Sequence, residues 1–210
     1  MKFLLKNRQK AGELLGNKLI KYANCSDGLI LALPRGGVPV AFQIAQKLNL
    51  PLDVCLVRKL GVPHRQELAM GAISTNNVMV INKSVVASME ISEEVISRVV
   101  QSEQQELERR KLLYRGQRPS PIIKDQTIIL VDDGAATGAT LQAAIATIKQ
   151  QCPKTIIIAV PIISEEALLT LQSEVDQLVY LYSPSPLQSI SHWYDNFEQT
   201  TDQEVCELLK

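Results

Sequence analysis

Two adjacent carboxylates, Asp132 and Asp133, stand at the end of an apolar, β-branched run that begins at Thr127. Only small residues and hydroxyls follow them: Gly134, Ala135, Ala136, Thr137, Gly138, Ala139 and Thr140. From Leu141 to Gln150 the pattern is helical. A buried strand, a small-residue loop and a helix start make an anion cradle, because free backbone N–H groups and the positive end of the helix dipole face one point. Ionised carboxylates only accept hydrogen bonds, so acids beside such a cradle suit a ligand with hydroxyls next to its phosphate. A sugar phosphate fits both halves. Two more strand ends carry cations, at Pro34-Arg35-Gly36-Gly37 and at Arg58-Lys59. Ligands of open parallel sheets bind beyond the carboxyl ends of the strands, near the switch point of the topology. If the three strands are neighbours, the acids and the cradle face two cationic patches, as a sugar with phosphate at one end and diphosphate at the other requires.

The elements that must position these residues follow from periodicity. Asn7 to Tyr22 has helical spacing; Gly28 to Leu33 reads as a short buried strand, and Val38 to Leu48 as a helix with Pro39 in its first turn. Leu52 to Val57 is the next strand, ending in Arg58-Lys59, and Leu60 to Gln66 reads as a loop containing His64 and Arg65. Leu68 to Ser74 and Val78 to Ile81 form a hairpin around Thr75-Asn76-Asn77. Ser92 to Tyr114 is the longest helix, with Glu93 and Glu94 suited to its first turn and Arg109, Arg110 and Lys111 to its last. Its middle, Gln101 to Glu108, has Leu107 as its one apolar residue, so it projects into solvent or packs on a partner chain, as in a homodimer. Lys154 to Val160 and Gln177 to Leu181 are strands around a helix from Glu165 to Leu171; an irregular tail follows Ser183, with a helix from Gln203 to Leu209. The alternation predicts an α/β fold, a mostly parallel twisted sheet with helices on both faces.

Length and balance narrow the classes. The chain has 210 residues, 46% of them apolar, and its 22 basic and 22 acidic residues cancel. No global field of the kind used by nucleic-acid or membrane-surface binders results. Cys25, Cys55, Cys152 and Cys206 stand singly, without metal-ligand spacing, as buried small hydrophobes of a reduced cytoplasmic protein would. The apolar run at the N-terminus is short for a signal peptide and no segment is long enough to span a bilayer.

Val131 to Leu141 resembles the phosphoribosyl-diphosphate signature of the type I phosphoribosyltransferases. The resemblance extends to Leu33-Pro-Arg-Gly-Gly37, which sits where that family has its pyrophosphate loop, and to the order of elements from Gly28 to Leu181. It implies one domain over 1–210, with a core of about 24–182, a long inserted helix at 92–115 and a tail or hood at 183–210. It further implies that Asp132 and Asp133 hold the ribose hydroxyls and that Thr137, Gly138, Ala139 and Thr140 bind the 5′-phosphate. Gly36 and Gly37 would let the backbone approach the pyrophosphate. Family members use Mg²⁺ carried by the diphosphate and displace pyrophosphate from the anomeric carbon through an oxocarbenium-like transition state. Catalysis then rests on positioning and on stabilising the leaving group, with Arg35, Arg58 and Lys59 as the catalytic candidates. His64 and Arg65 lie where the family often has a mobile loop.

Members acting on six-oxopurines carry an acid before the Thr-Gly pair and often a lysine after it. Here those positions are Ala136 and Ala139, which argues against hypoxanthine or guanine as acceptor. Trp193, Tyr194 and Phe197 have two readings, plain core or a hood that stacks on a flat base. A P-loop nucleotidase is disfavoured because Gly134 to Thr140 lacks the Gly-Lys-Ser/Thr ending, and a dinucleotide-binding oxidoreductase because no GxGxxG follows an early strand. The rival from a different class is a non-enzymatic regulator that binds phosphoribosyl diphosphate or a nucleotide.

Overall fold

In a computed structural model, which describes residues 4–75 and 78–210, the chain folds around a five-stranded, wholly parallel sheet. Its strands are β1 (Gly28–Ala32), β2 (Leu52–Val54), β6 (Thr127–Val131), β7 (Thr155–Ile162) and β8 (Gln177–Tyr182), in the order β2-β1-β6-β7-β8. Every residue of β1 and β6 is buried, which is why both read as unbroken apolar runs. Alternate residues serve two cores. Ile30, Ile129 and Ile157 pack under α1 (Arg8–Lys18), α2 (Gly37–Leu48) and α7 (Asp202–Leu208). Leu31, Leu130 and Ile158 pack under α5 (Ala139–Lys149) and α6 (Glu165–Leu171). Each such side chain contributes roughly 1.5–3 kcal/mol by leaving water, so the sheet interior sets the stability and leaves the strand ends free for polar chemistry.

From β1 the chain crosses through α2 to β2 on one side; from β6 it runs through α5 and α6 to β7 and β8 on the other. β1 and β6 are adjacent, so the switch point lies between Leu33 and Asp132. Ligand crevices of this architecture open there.

A second sheet, antiparallel, consists of β3 (Val57–Val62), β4 (Arg65–Ser74) and β5 (Met79–Ile81) in the order β3-β4-β5. It changes two expectations. The run from Leu52 to Val57 is not one strand: β2 stops at Val54, and after Cys55 and Leu56 the chain enters the other sheet. Arg58 and Lys59 therefore lie inside β3, not at the end of a parallel strand. Leu60 to Gln66 is likewise not a loop but a β-ladder reversed at Pro63 and His64, the latter at φ +64°. Its register shifts on both sides of Gly61, so an extra residue there is absorbed by a bulge. The β4–β5 pairing is antiparallel as the hairpin reading requires; Asn76 and Asn77 of its turn lie outside the described residues.

Helix α3 (Lys83–Ser88), capped by the Asn82 side chain on Val85 N–H, has no counterpart among the sequence expectations. Helix α4 (Glu93–Arg115) starts after Ser92 as expected. Its middle is not free on all sides: Leu107 is buried, and Glu103 pairs with Arg58 of β3. Arg109 and Arg110 bind Glu106, and Lys111 binds Glu108, one turn before the helix end; Arg115 is the basic residue of the last turn. Of the four cysteines only Cys55 is buried; Cys152 is exposed and the other two half-buried. Among the described residues no helix is long and apolar enough to cross a membrane.

Candidate active site

Hydrogen bonding joins the ends of β1 and β6 before any side chain is considered. Leu33 N–H donates to Val131 O at 2.8 Å, and the turn that follows closes through Gly37 N–H to Leu33 O at 3.0 Å. The Pro34–Arg35 peptide within it is cis. The two glycines of the turn answer a lack of space. A Cβ on Gly36 would lie 1.9 Å from Asp133 Oδ2, and one on Gly37 would lie 2.7 Å from Val131 O. The acidic pair and the Arg35-Gly36-Gly37 turn, 97 positions apart at Gly36/Asp133 (133 − 36), are thus in direct contact.

Beyond the acids the loop is hung on the end of β7. Ala135 N–H donates to Ile162 O at 2.8 Å, Ser164 N–H to Ala135 O at 2.9 Å, and Ser164 Oγ to Ala136 O at 2.6 Å. Gly138, at φ +72°, opens α5, and Thr137 Oγ1 accepts from Ala139 N–H at 3.4 Å. A left-handed residue at this point costs glycine nothing and any L side chain something. Thr137 and Thr140 lie at the start of α5, where first-turn N–H groups have no partner within a helix. The loop is a small-residue turn that opens directly into a helix, the local geometry that the cradle reading requires.

A cleft of about 760 Å³ opens beside this cradle. Leu33 and Pro34, Thr140 of α5, Arg58 and Lys59 of β3, and Glu103 and Arg110 of α4 share its walls. Arg58 Nε donates to Glu103 Oε2 at 2.5 Å, whereas no hydrogen bond or ion pair engages the Lys59 side chain among the described residues. Although the expected strand end is wrong, the fold brings Arg58 and Lys59 to the cradle by a different route. Arg35 is turned elsewhere. Its Nη1 lies 3.5 Å from Asp202 Oδ1 on α7, and Asp202 also accepts from the Tyr114 hydroxyl.

The acids sit in an environment that resists charge. Burial, reinforced by the neighbouring Asp133, raises Asp132 well above the usual carboxylate range, opposed by the Asp133 N–H that Oδ1 accepts at 2.8 Å. Asp133 is raised too, first by burial, with Arg8 pulling the other way. Arg8, the first residue of α1, places Nε 2.8 Å and Nη2 2.7 Å from Asp133 Oδ2. The Tyr194 hydroxyl donates to Asp133 O at 2.8 Å, and burial pushes that phenol up. Gly134 lies under Ile190, whose Cγ2 is 2.5 Å from where a Cβ would stand. Of the tail aromatics, Tyr194 is buried and packs on Phe197, Phe197 lies under Arg8, and Trp193 stacks on Tyr182.

Arg8, Glu103 and Asp202 did not stand out in the sequence, and Arg110 did so only as part of a basic helix end. Arg8 left one trace: a cation at the first position of a helix opposes the dipole and needs a local reason. That reason is Asp133.

Fold and loop together define a class, an open parallel α/β protein with a helix-start cradle and an acidic pair at its switch point. The chain belongs to the phosphoribosyl transferase family, whose domain matches residues 3–181. Over 206 residues, 98% of the chain, it is 37% identical to the Mycobacterium tuberculosis proteins "Putative phosphoribosyl transferase MT0597" (strain CDC 1551 / Oshkosh) and "Putative phosphoribosyl transferase Rv0571c" (strain ATCC 25618 / H37Rv). The aligned part is 46% of each, so the chain spans about half the length of these curated relatives. The crystal structure of TT1426 from Thermus thermophilus superposes with a TM-score of 0.89 at 33% identity, covering 100% of this chain and 98% of that one.

Proposed function

We propose that the protein binds phosphoribosyl diphosphate with Mg²⁺ and transfers its 5-phosphoribosyl group to a nitrogenous acceptor, releasing pyrophosphate. The observation that carries this reading is the contact between the acidic pair and the Pro34–Gly37 turn, with Thr140 and Lys59 on one cleft beside them. Thr137, Gly138, Ala139 and Thr140 take the 5′-phosphate. Asp132 and Asp133 face the ribose hydroxyls, and Gly134, Ala135 and Ala136 form the small-residue turn that joins them to the phosphate loop. Gly36 and Gly37 admit the diphosphate to the backbone, with Lys59, Arg58 and Arg35 supplying positive charge as it leaves. The bond from the anomeric carbon to the diphosphate breaks with its electron pair going to pyrophosphate, and the acceptor nitrogen's lone pair closes on that carbon. Mg²⁺ arrives carried by the diphosphate, as part of the substrate, as the family resemblance implies.

Ala136 and Ala139 supply neither an acid nor a lysine for a six-oxopurine, which argues against hypoxanthine or guanine as the acceptor. A second reading, a regulator that binds phosphoribosyl diphosphate without turning it over, is favoured by the tail aromatics being engaged in packing. Calorimetry with Mg²⁺ and phosphoribosyl diphosphate tests what both readings share. Binding by the wild type and its loss in Asp132→Asn/Asp133→Asn is expected; a wild type that does not bind, or a double variant that binds as well, would sink both. Pyrophosphate release across a panel of nucleobases and amines then separates enzyme from regulator.

A further inference from the structure

Asp133 is the point where three remote segments meet. Its Oδ2 touches the backbone of Gly36 on one side and receives Nε and Nη2 of Arg8 on the other. The Arg8 side chain is 10% exposed, and its remaining contacts are all to the tail: Nη1 donates to Glu198 O at 2.7 Å, and the guanidinium lies 3.9 Å above the Phe197 ring. Tyr194 completes the junction from the same segment through Asp133 O. Leu5, just before α1, pairs with this tail, its N–H donating to Trp193 O and its carbonyl accepting from Asp195 N–H, both at 2.8 Å. A surface arginine makes one such contact at little energetic consequence; a buried one engaged on every side is fixed in place.

We propose that Arg8 is a positioning residue of the ligand site, an inference that rests on the phosphoribosyl diphosphate reading above: it orients Asp133 against the Pro34–Gly37 turn and ties α1 and the 193–198 segment to that turn. Arg8 is not itself a ribose ligand, because both donors facing the site are spent on Asp133. Its effect passes through the carboxylate. The charged or titratable groups facing Asp133 are Arg8 from α1, Asp132 from the end of β6 and the Tyr194 hydroxyl from the tail; Gly36 brings no charge, and Glu198 offers only its carbonyl, to Arg8. Among the described residues Arg8 is therefore the one cation of the group. Without it, burial favours the protonated form of Asp133, which accepts fewer hydrogen bonds from sugar hydroxyls and no longer pins its rotamer.

The test is the pH dependence of phosphoribosyl diphosphate affinity, by calorimetry with Mg²⁺, in wild type, Arg8→Met and Arg8→Lys. Arg8→Met keeps much of the buried stem and removes the charge. It is expected to raise Kd by about tenfold at mildly acidic pH, with affinity recovering as pH rises, because the acid limb of its profile moves up. Arg8→Lys restores the charge but not the two-pronged contact, so its profile falls between the two. Inorganic phosphate, which lacks the ribose, is bound equally by all three. A purely structural role would lower thermal stability while leaving the shape of the pH profile unchanged; that result overturns the proposal, as does tighter binding by Arg8→Met, which would make Arg8 a competitor of the sugar. If Arg8→Met does not fold, an Arg8→Lys profile superimposable on the wild type is the overturning result. A wild type that binds no phosphoribosyl diphosphate defeats the functional reading instead, so the two failures are distinct.

Discussion

At the scale of single residues, the burial of Asp132 acts on stability. Side-chain carboxyls of an unfolded chain titrate near about 3.9, and Asp132 is held well above that by burial and by Asp133. Between the unfolded and the folded value the native state binds the extra proton. Stability of the ligand-free protein therefore falls as pH rises through that window and stays lower above it. Asp132→Asn lacks the titration. It is expected to match the wild type in acid and to exceed it at neutral pH by about 0.5–2 kcal/mol in urea unfolding, the usual gain when a site residue is relaxed. A variant less stable than the wild type at neutral pH would mean the carboxylate is stabilised in ways these contacts do not show. The chemistry of this pair was legible in the sequence because both acids, the small residues and the helix start are contiguous. Its partner was not: Arg8 lies 125 positions away, and only the folded chain brings it to Asp133.

At the scale of elements, periodicity reveals where strands and helices are but not where a chain changes sheets. Leu52 to Val57 reads as one run, so nothing in its pattern marks Cys55 and Leu56 as a crossing point from β2 to β3. Gly61 and Pro63 read as loop residues, yet one sits at a bulge and the other in the tight turn of a continuous ladder. Helices α2, α5 and α6, with helical spacing and local start signals, were legible almost to their ends. The contact between α7 and the Pro34–Gly37 turn yields a prediction of its own. Arg35 is 38% exposed and its ion pair with Asp202 is long, so holding it there is worth at most about 1 kcal/mol. To serve a leaving pyrophosphate, Arg35 must turn away from Asp202. Asp202→Asn keeps an acceptor for the Tyr114 hydroxyl and removes the competing charge, and Mg²⁺-pyrophosphate is then expected to bind about two- to fivefold more tightly. Unchanged or weaker binding would remove Arg35 from the leaving-group role.

The whole molecule is arranged so that its most distant segments meet at the switch point. The central sheet is stabilised by two apolar cores that need nothing from the ligand. The segment before α1 and the 193–198 tail are held by less: Leu5 and Tyr194 close with Ala11 and Ile162 into a small third apolar cluster, and Arg8 and Tyr194 tie it to Asp133. Such a unit opens at a lower free energy than the sheet does. A ligand that binds only the closed form must then protect it, by about 2.7 kcal/mol at a free concentration roughly one hundred times Kd. Hydrogen exchange with and without Mg²⁺-phosphoribosyl diphosphate measures this directly. The amides of Leu5, Asp195 and Asn196, which bond to Trp193 O, Leu5 O and Lys6 O, are expected to slow markedly on binding, while those of β1 and β6 stay near their already slow rates. Protection confined to the loop of Thr137 to Thr140, with the Leu5 and Asp195 amides unchanged at saturation, would show that the tail stands apart from the site and that Asp133 does not connect them.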